Sequence, residues 1–331
     1  MNRRSFCLVV VGLMCMSSVA LGAENKKVLF LTKSSGFQHL VITRDSANPQ
    51  KLTHAEQILT DIGAANGFTV AVTKDADIFN DPKTYETYQV IAFYTTEDLT
   101  NPSDKYDVKR DEKGKPIKGP DGKTQQGNLI HTEKPMSKEG KAMFLQAIAD
   151  GKVGFIGFHS ASDTFHSKNR GRPDLLRDAN IKDPVDPYIG MIGGEFGGHG
   201  SQQNSTMKVA STLFPGLEDL KDFNLHEEWY SLYNLAPDMH VILVQDTNSM
   251  GKDGKREPQY QRAPYPATWA KKYGNGRVFY TSMGHKPEVW ADATFQKVVI
   301  AGLNWAAGNT KFEPSPNIQQ VAPQPTAAAV K

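Results

Sequence analysis

The sequence predicts an α/β fold built on a mainly parallel sheet. Three observations carry that expectation. Short apolar runs rich in β-formers, KVLFLT at 27–32, FTVAVT at 68–73, QVIAFYT at 89–95 and VGFIGFHS at 153–160, have the length and character of buried strands. Segments of helical spacing lie between them, and alternation of this kind implies a parallel sheet covered on both faces. The composition is globular, with 331 residues, 39 % hydrophobic, 22 % charged, 28 Gly and 19 Pro, which excludes disorder, collagen and coiled coil.

The chain opens on a leader. Arg3 and Arg4 precede an apolar stretch from Phe6 to Met16, and Ala20, Leu21, Gly22 and Ala23 offer a small-residue cleavage site. Residues 1–23 read as a secretory signal peptide, with a retained N-terminal anchor as the alternative. Both cysteines, Cys7 and Cys15, lie in it. A mature chain without them has no disulfide framework, cysteine nucleophile or cysteine-ligated metal. Removing the leader lowers the basic residues from 38 to 36, against 36 acids. The neutral balance argues against nucleic acid as a partner. A soluble, exported protein, periplasmic or extracellular, is the expectation.

After the first strand, Ser34, Ser35 and Gly36 break the run. Helical spacing then covers 49–66, and Gly67 supplies the cap. Residues 101–137 carry Asn-Pro, Lys-Gly-Lys-Pro and Gly-Pro-Asp-Gly with few large apolar side chains, as a polar surface insertion would. The helix 138–149 resumes the fold ahead of the fourth strand. Residues 206–211, 225–233, 240–246, 266–270 and 277–282 read as further strands. Asn275-Gly276 between the last two is a type I′ hairpin signal near the C-terminus. A helix over 292–307 closes one domain spanning 24–311, and the Pro/Ala-rich tail, 312–331, reads as disordered.

Ligands of open α/β sheets bind beyond the carboxyl ends of the strands. Four of the nine histidines, His39, His159, His199 and His285, follow a strand or sit in a Gly-rich loop. Imidazoles gathered from several strand ends suit a divalent metal or proton transfer. Glu228 adds a carboxylate, as ligand or base. Taken singly, each histidine is more readily a surface or core residue. GGEFGGHG at 193–200 fits neither a Walker loop nor GxGxxG, so no nucleotide cofactor is expected. GFHSA lacks the serine-centred elbow of a hydrolase. Trp229, Tyr230, Trp269 and Trp290 border the strand ends, where aromatic faces suit sugar rings and core packing equally.

SSGFQH, GFHSASDTF, GGEFGGH, EEWY, ATW followed by YGNGRVFYTSMGH, and the closing LNWAAG together resemble the trehalose-utilisation (ThuA-like) family, over about 27–308. The insertion and tail fall outside that resemblance. It implies a flavodoxin-like three-layer sandwich of the class I glutamine amidotransferase type. His159 stands where those amidotransferases carry their cysteine, so amidotransferase chemistry is not expected. The resemblance implies a carbohydrate role, acting on 3-keto intermediates made by a partner sugar 3-dehydrogenase. It assigns His39, His159, His199 and His285 to a divalent metal, zinc first. Glu228, His159 and Asp163 become the catalytic candidates. Phe37, Tyr230, Trp269 and Gly194 become the sugar contacts. The alternatives are a non-catalytic sugar-binding module and a metal-dependent hydrolase of another small substrate.

Overall fold

A computed structural model describes residues 24–45, 47–167, 185–251, 260 and 264–323. Residues 1–23, read as a leader, and 324–331, the end of the expected tail, lie outside the described residues. No helix among the described residues is long and apolar enough to cross a membrane.

In chain order the elements are β1 (Lys26–Leu31), α1 (His54–Ala65), β2 (Phe68–Thr73), α2 (Thr84–Thr87), β3 (Val90–Phe93), β4 (Ser103–Val108), β5 (Gln126–Glu133), α3 (Lys138–Ala149) and β6 (Gly154–Phe158). Then follow α4 (Pro187–Ile192), β7 (Glu195–His199), β8 (Gln203–Val209), β9 (Phe223–Glu227), β10 (Tyr230–Tyr233), β11 (His240–Asp246), β12 (Pro266–Tyr273) and β13 (Gly276–Thr281). The last helices are α5 (Pro287–Ala291), α6 (Ala293–Ala306) and α7 (Ile318–Val321).

Nine strands form one sheet in the order β2-β1-β3-β6-β13-β12-β11-β8-β9. The half from β2 to β13 is parallel, and the half from β13 to β9 is antiparallel. Numbered as the chain visits them, the strands of the parallel half lie side by side in the order 2-1-3-4-5, as in a doubly wound sheet. Helices cover both faces of that half. On β6, a Cβ at Gly154 would strike the Ala306 carbonyl in α6, whereas one at Gly157 would meet Ile192 of α4. Two aromatic cores follow. Phe93, Phe144, Phe155 and Tyr188 pack on one face, and Phe30, Phe158, Trp290 and Phe295 on the other.

Local chemistry sets several boundaries. The first helix starts at His54 and not near Pro49, because Glu56 reaches back to the Thr53 N–H at 2.8 Å. Ser137 caps α3 by accepting from Gly140 N, and Asp292 caps α6 by accepting from Thr294 N and Phe295 N. β12 and β13 pair through Tyr273 and Gly276, so the loop is Gly274-Asn275. Only Gly274 has positive φ, 58°, and a type I′ turn needs two such residues. The left-handed position falls on the glycine before Asn275, against the expected register.

Two larger expectations gain detail or need correction. Residues 101–137, expected as a polar surface insertion, are mostly exposed, and within them β4 and β5 form an antiparallel hairpin tied to the loop after β1. Ser103 Oγ donates to Ser34 O at 2.6 Å, Lys105 Nζ donates to Ser34 O at 2.6 Å, and the Ser34 N–H reaches Glu133 Oε2 at 3.2 Å. The polar composition hid these contacts, because the buried groups are themselves polar. The tail is packed as far as Ala322. Phe312 packs edge-on against Phe214 and His240, Asn317 pairs with the backbone of Val241, and Ile318 is buried.

Candidate active site

Three loops at the carboxyl edge of the parallel strands and one crossing from the antiparallel half build the site. The first loop leaves β1. Gly36 N donates to Thr96 Oγ1, Thr96 Oγ1 donates to Phe37 O, and Thr43 Oγ1 donates to His39 O. Val41 and Ile42 sink into the core, which draws His39 in to 4 % exposure. The second loop leaves β6. His159 opens a 3-10 turn with φ of 42°, a left-handed strain that persists because Tyr280 Oη donates to its carbonyl at 2.7 Å. The third leaves β13. Gly284, at φ 116°, lets the chain turn beneath Trp290, and Glu227 Oε2 accepts from both Gly284 N and His285 N.

Glu228 comes from the other half. The sequence reads 225–233 as one strand. The structure splits it: β9 pairs with β8 in the main sheet, and β10 pairs with β7 in a separate ribbon. The chain changes sheets at Glu228 and Trp229. Trp229 is buried, with its indole N–H on Gln203 O at 2.8 Å, and Glu228 N–H is held by Glu227 Oε1. That crossing delivers the carboxylate among the imidazoles.

The resulting geometry is tight. Glu228 Oε2 lies 3.3 Å from His159 Nε2 and 3.2 Å from His285 Nδ1, and those two nitrogens are 3.3 Å apart. His39 stacks edge-on against both rings, at 4.9 and 5.1 Å between centroids. One ligand atom from each of His39, His159, Glu228 and His285 lies within 4.8 Å of the others. His199 Nε2 approaches the second carboxylate oxygen, Oε1, at 3.4 Å.

The far nitrogens are oriented. His159 Nδ1 sits 2.7 Å from Ser282 O, an acceptor, so Nδ1 carries a proton and Nε2 faces the cluster. Tyr230 Oη lies 2.8 Å from that Nε2, and burial holds the phenol well above its ordinary pKa, so it stays protonated. The Gln202 amide sits 2.8 Å from His285 Nε2, and His199 Nδ1 sits 2.9 Å from Gly200 O. Burial, with His159 and His285 nearby, pushes His39 down to about 2, so the ring is neutral at physiological pH. For Glu228, burial acts upward, but hydrogen bonds and charge from His159 and His285 outweigh it and hold the carboxyl well below its ordinary value. Glu227, by contrast, is pushed up by burial against its hydrogen bonds.

Of the expected metal set, His39, His159 and His285 meet. Glu228 takes the fourth place, with His199 behind it. Asp163 does not join them: its Oδ1 pairs with His166 Nε2 at 2.9 Å. Trp269 is no sugar platform, being fully buried against Tyr280 with its indole N–H on Ile192 O. Gly194 is buried under Trp269 and Leu235. Tyr230 is buried too, and its hydroxyl is spent on His159, so it braces the site and does not line it. Phe37 is 68 % exposed, edge-on to His39 at the mouth. Glu227, Gln202 and Tyr94, whose ring packs against His39 and His159, were missed. A second acid beside Glu228 in EEWY was the available signal for Glu227, since two adjacent acids on a strand place one of them inward.

The ThuA, trehalose-utilisation, family model matches residues 125–306. The match begins inside the segment read as an insertion. A ThuA-like protein of Bacteroides uniformis superposes with a TM-score of 0.55 at 17 % identity, over 87 % of this chain and 94 % of that one. One from Parabacteroides merdae gives 0.51 at 16 %, over 88 % and 95 %. No curated protein matches the chain in sequence.

Proposed function

The chain belongs to the ThuA, trehalose-utilisation, family, with the carbohydrate-related role that this carries, and from that premise we propose that it is an exported enzyme cleaving 3-keto-glycosides of trehalose-like disaccharides. The strand order 2-1-3-4-5 supports a flavodoxin-like sandwich of the glutamine amidotransferase type. The observation that carries the reading is the meeting of His159 Nε2, His285 Nδ1 and Glu228 Oε2 at mutual distances of 3.2–3.3 Å, with His39 beside them.

Those residues fit a divalent ion. Ligand atoms about 2.0–2.1 Å from a tetrahedral zinc lie roughly 3.3 Å apart, which is the edge seen here. His39 Nδ1 is buried and makes no hydrogen bond, as an atom kept for a ligand would be. Ser282 O behind His159 and Gln202 behind His285 supply the outer contacts that orient metal-binding imidazoles. Three imidazoles and one carboxylate favour zinc. Bound there, the ion would act as a Lewis acid on charge developing at the C3 carbonyl oxygen.

The protein's own groups handle the protons. A C3 ketone acidifies the C2 hydrogen. Glu228 is too weak a base to take it, since its pKa is depressed. His199 is better placed: Gly200 O fixes its Nδ1 proton, Nε2 accepts the C2 proton, and Glu228 Oε1 at 3.4 Å then receives the new N–H. The electron pair moves into the C1–C2 bond as the C1–O bond breaks, and the leaving alkoxide recovers the proton. Phe37 at the mouth offers an apolar face to the ring. A sugar 3-dehydrogenase would supply the substrate. The sugar-binding alternative has lost its platforms, since Trp269 and Tyr230 are buried.

The test is incubation of the purified protein with 3-keto-trehalose, after chelator treatment and after zinc reloading. Release of glucose that needs the ion supports the reading, and no turnover under any metal condition rejects it.

A further inference from the structure

A bulge in the short ribbon beside the histidine cluster re-aims one aromatic ring. Tyr230 pairs with His199 and Ser231 with Gly198, but Leu232 pairs with Phe196, so Gly197 is an extra residue on β7. In an unbroken strand residues 196 and 199 point to opposite faces. The extra residue brings Phe196 and His199 to one face, where both rings lie against Tyr230. Phe196 and Tyr230 are 4.4 Å apart between centroids, and Phe196 and His199 are 6.1 Å apart with their planes 29° from parallel. Gly198, at φ of 148°, holds a conformation that favours glycine, and neither it nor Gly197 places a side chain between the two rings.

We infer that Phe196 is the platform for the sugar that leaves, so that the second ring of the disaccharide is itself recognised. The inference rests on the keto-glycoside reading of the same site. Its geometry follows from the order of the carbons. The C3 carbonyl lies among His39, His159 and His285, and the C2 hydrogen lies at His199 Nε2. C1 is the neighbour of C2 on the side away from C3. The C1 oxygen and the ring it carries therefore extend from His199 over β7, away from the three imidazoles. Phe196 is the ring that β7 presents there. Tyr230 backs it on one side, and its half-buried state leaves part of the ring to solvent. The apolar C–H face of a pyranose packs on such a ring. Trp269 and Tyr230, both buried, cannot take this role. Phe37 stands beside His39 and serves the keto ring instead.

The full chain, loaded with zinc, is titrated calorimetrically with trehalose, which has two rings and no ketone, and with methyl α-glucoside, which has one ring. The native chain is expected to bind trehalose more tightly. Phe196→Leu keeps apolar volume against Tyr230 and removes the flat face. It should weaken trehalose by about fivefold and methyl α-glucoside by less than about twofold, and Phe196→Tyr should restore the native ratio. With 3-keto-trehalose as substrate, the loss in Phe196→Leu should fall mainly on KM. Phe37→Ala should weaken both sugars alike, since both carry the ring that Phe37 serves. Equal binding of the two sugars by the native chain overturns the assignment. So does a Phe196→Leu protein of native circular dichroism and zinc content that binds both sugars less well by the same factor, or both as well as before. A native chain that prefers trehalose through Phe196 but turns over no keto-glycoside would reject the reaction and keep the platform.

Discussion

Two buried charged clusters flank the turn that leaves β1, and they are built on opposite plans. On one side Lys33, Lys74 and Lys105 surround the buried Glu133. On the other, His39, His159, His199 and His285 surround Glu228. In the lysine knot every ammonium is spent on fixed acceptors: Lys33 on Glu133 O, Lys74 on Thr32 O and Ile42 O, Lys105 on Ser34 O and Ser103 Oγ. The knot ties the β4–β5 hairpin to β1 and is part of the fold. In the histidine cluster the ring nitrogens turn instead toward one another and one carboxylate oxygen, around a shared point. Donors that end on backbone carbonyls stabilise a structure, whereas ligand atoms that converge wait for a guest.

The comparison breaks most sharply at the central acid of each cluster. Glu228→Gln keeps the volume and removes the charge. Turnover of the keto-glycoside should fall by about 10³-fold, since the base loses its counter-charge and the ion a ligand. The unfolding midpoint should move little. Steady-state kinetics and metal content measure this, and a Gln variant that turns over normally would make the cluster structural. Glu133→Gln should do the reverse. It removes the carboxylate that pairs with half-buried Lys105 at 3.5 Å and whose charge favours the buried Lys33 and Lys74 ammonium groups, and removing one partner of a buried ion pair costs about 3 kcal/mol. Urea unfolding should show that loss while bound zinc stays at one equivalent. Zinc lost along with stability would mean that the two clusters are one unit.

Much of the histidine cluster was legible in the sequence, and almost none of the lysine knot. Histidines after apolar β-runs declare themselves, because a buried parallel strand has few polar residues and its end is sharp. His39, His159 and His285 were found in that way. Glu228 was visible as an acid before aromatics, but the change of sheet that aims it was not. The run 225–233 keeps strand character throughout, and the break at Glu228 and Trp229 comes from the indole hydrogen bond to Gln203. Trp269 misled for a related reason. Its alternating strand context fits a core and a ligand platform equally, and only the partner at Ile192 O decides. The knot was hidden because Lys105 and Glu133 lie in a polar, Gly/Pro-rich stretch and Lys33 and Lys74 stand at strand ends, where lysines read as solvent-facing. Their burial depends on contacts across 71 and 100 residues of chain.

A smaller effect sharpens the contrast through pH. Burial pushes Lys74 and Lys33 down to about 8, against the pull of the nearby carboxylates. In the unfolded chain both return to about 10.4. Between pH 8 and that value the unfolded state holds more protons, so stability rises with pH, by at most about 1.4 kcal/mol per unit for each lysine. Urea midpoints at pH 8 and 9.5 should therefore increase, and Lys74→Met should flatten the slope. A native protein that loses stability across this window would show that the ammonium groups are better solvated than the packing indicates.

The smallest effect lies at the edge of the histidine cluster and asks whether its outer contacts follow the same logic. Gln202 is a surface residue whose amide meets His285 Nε2 at 2.8 Å. It holds no strand and fills no core. If the rim is organised around a guest, Gln202→Ala should leave urea stability unchanged and weaken zinc by about threefold to tenfold, the worth of one neutral hydrogen bond. Stability lost without any change in zinc would make the amide a brace for the loop after β13. That result would place His285 with the lysine knot, among groups fixed for the fold, and would leave His39, His159 and Glu228 as the whole of the convergent set.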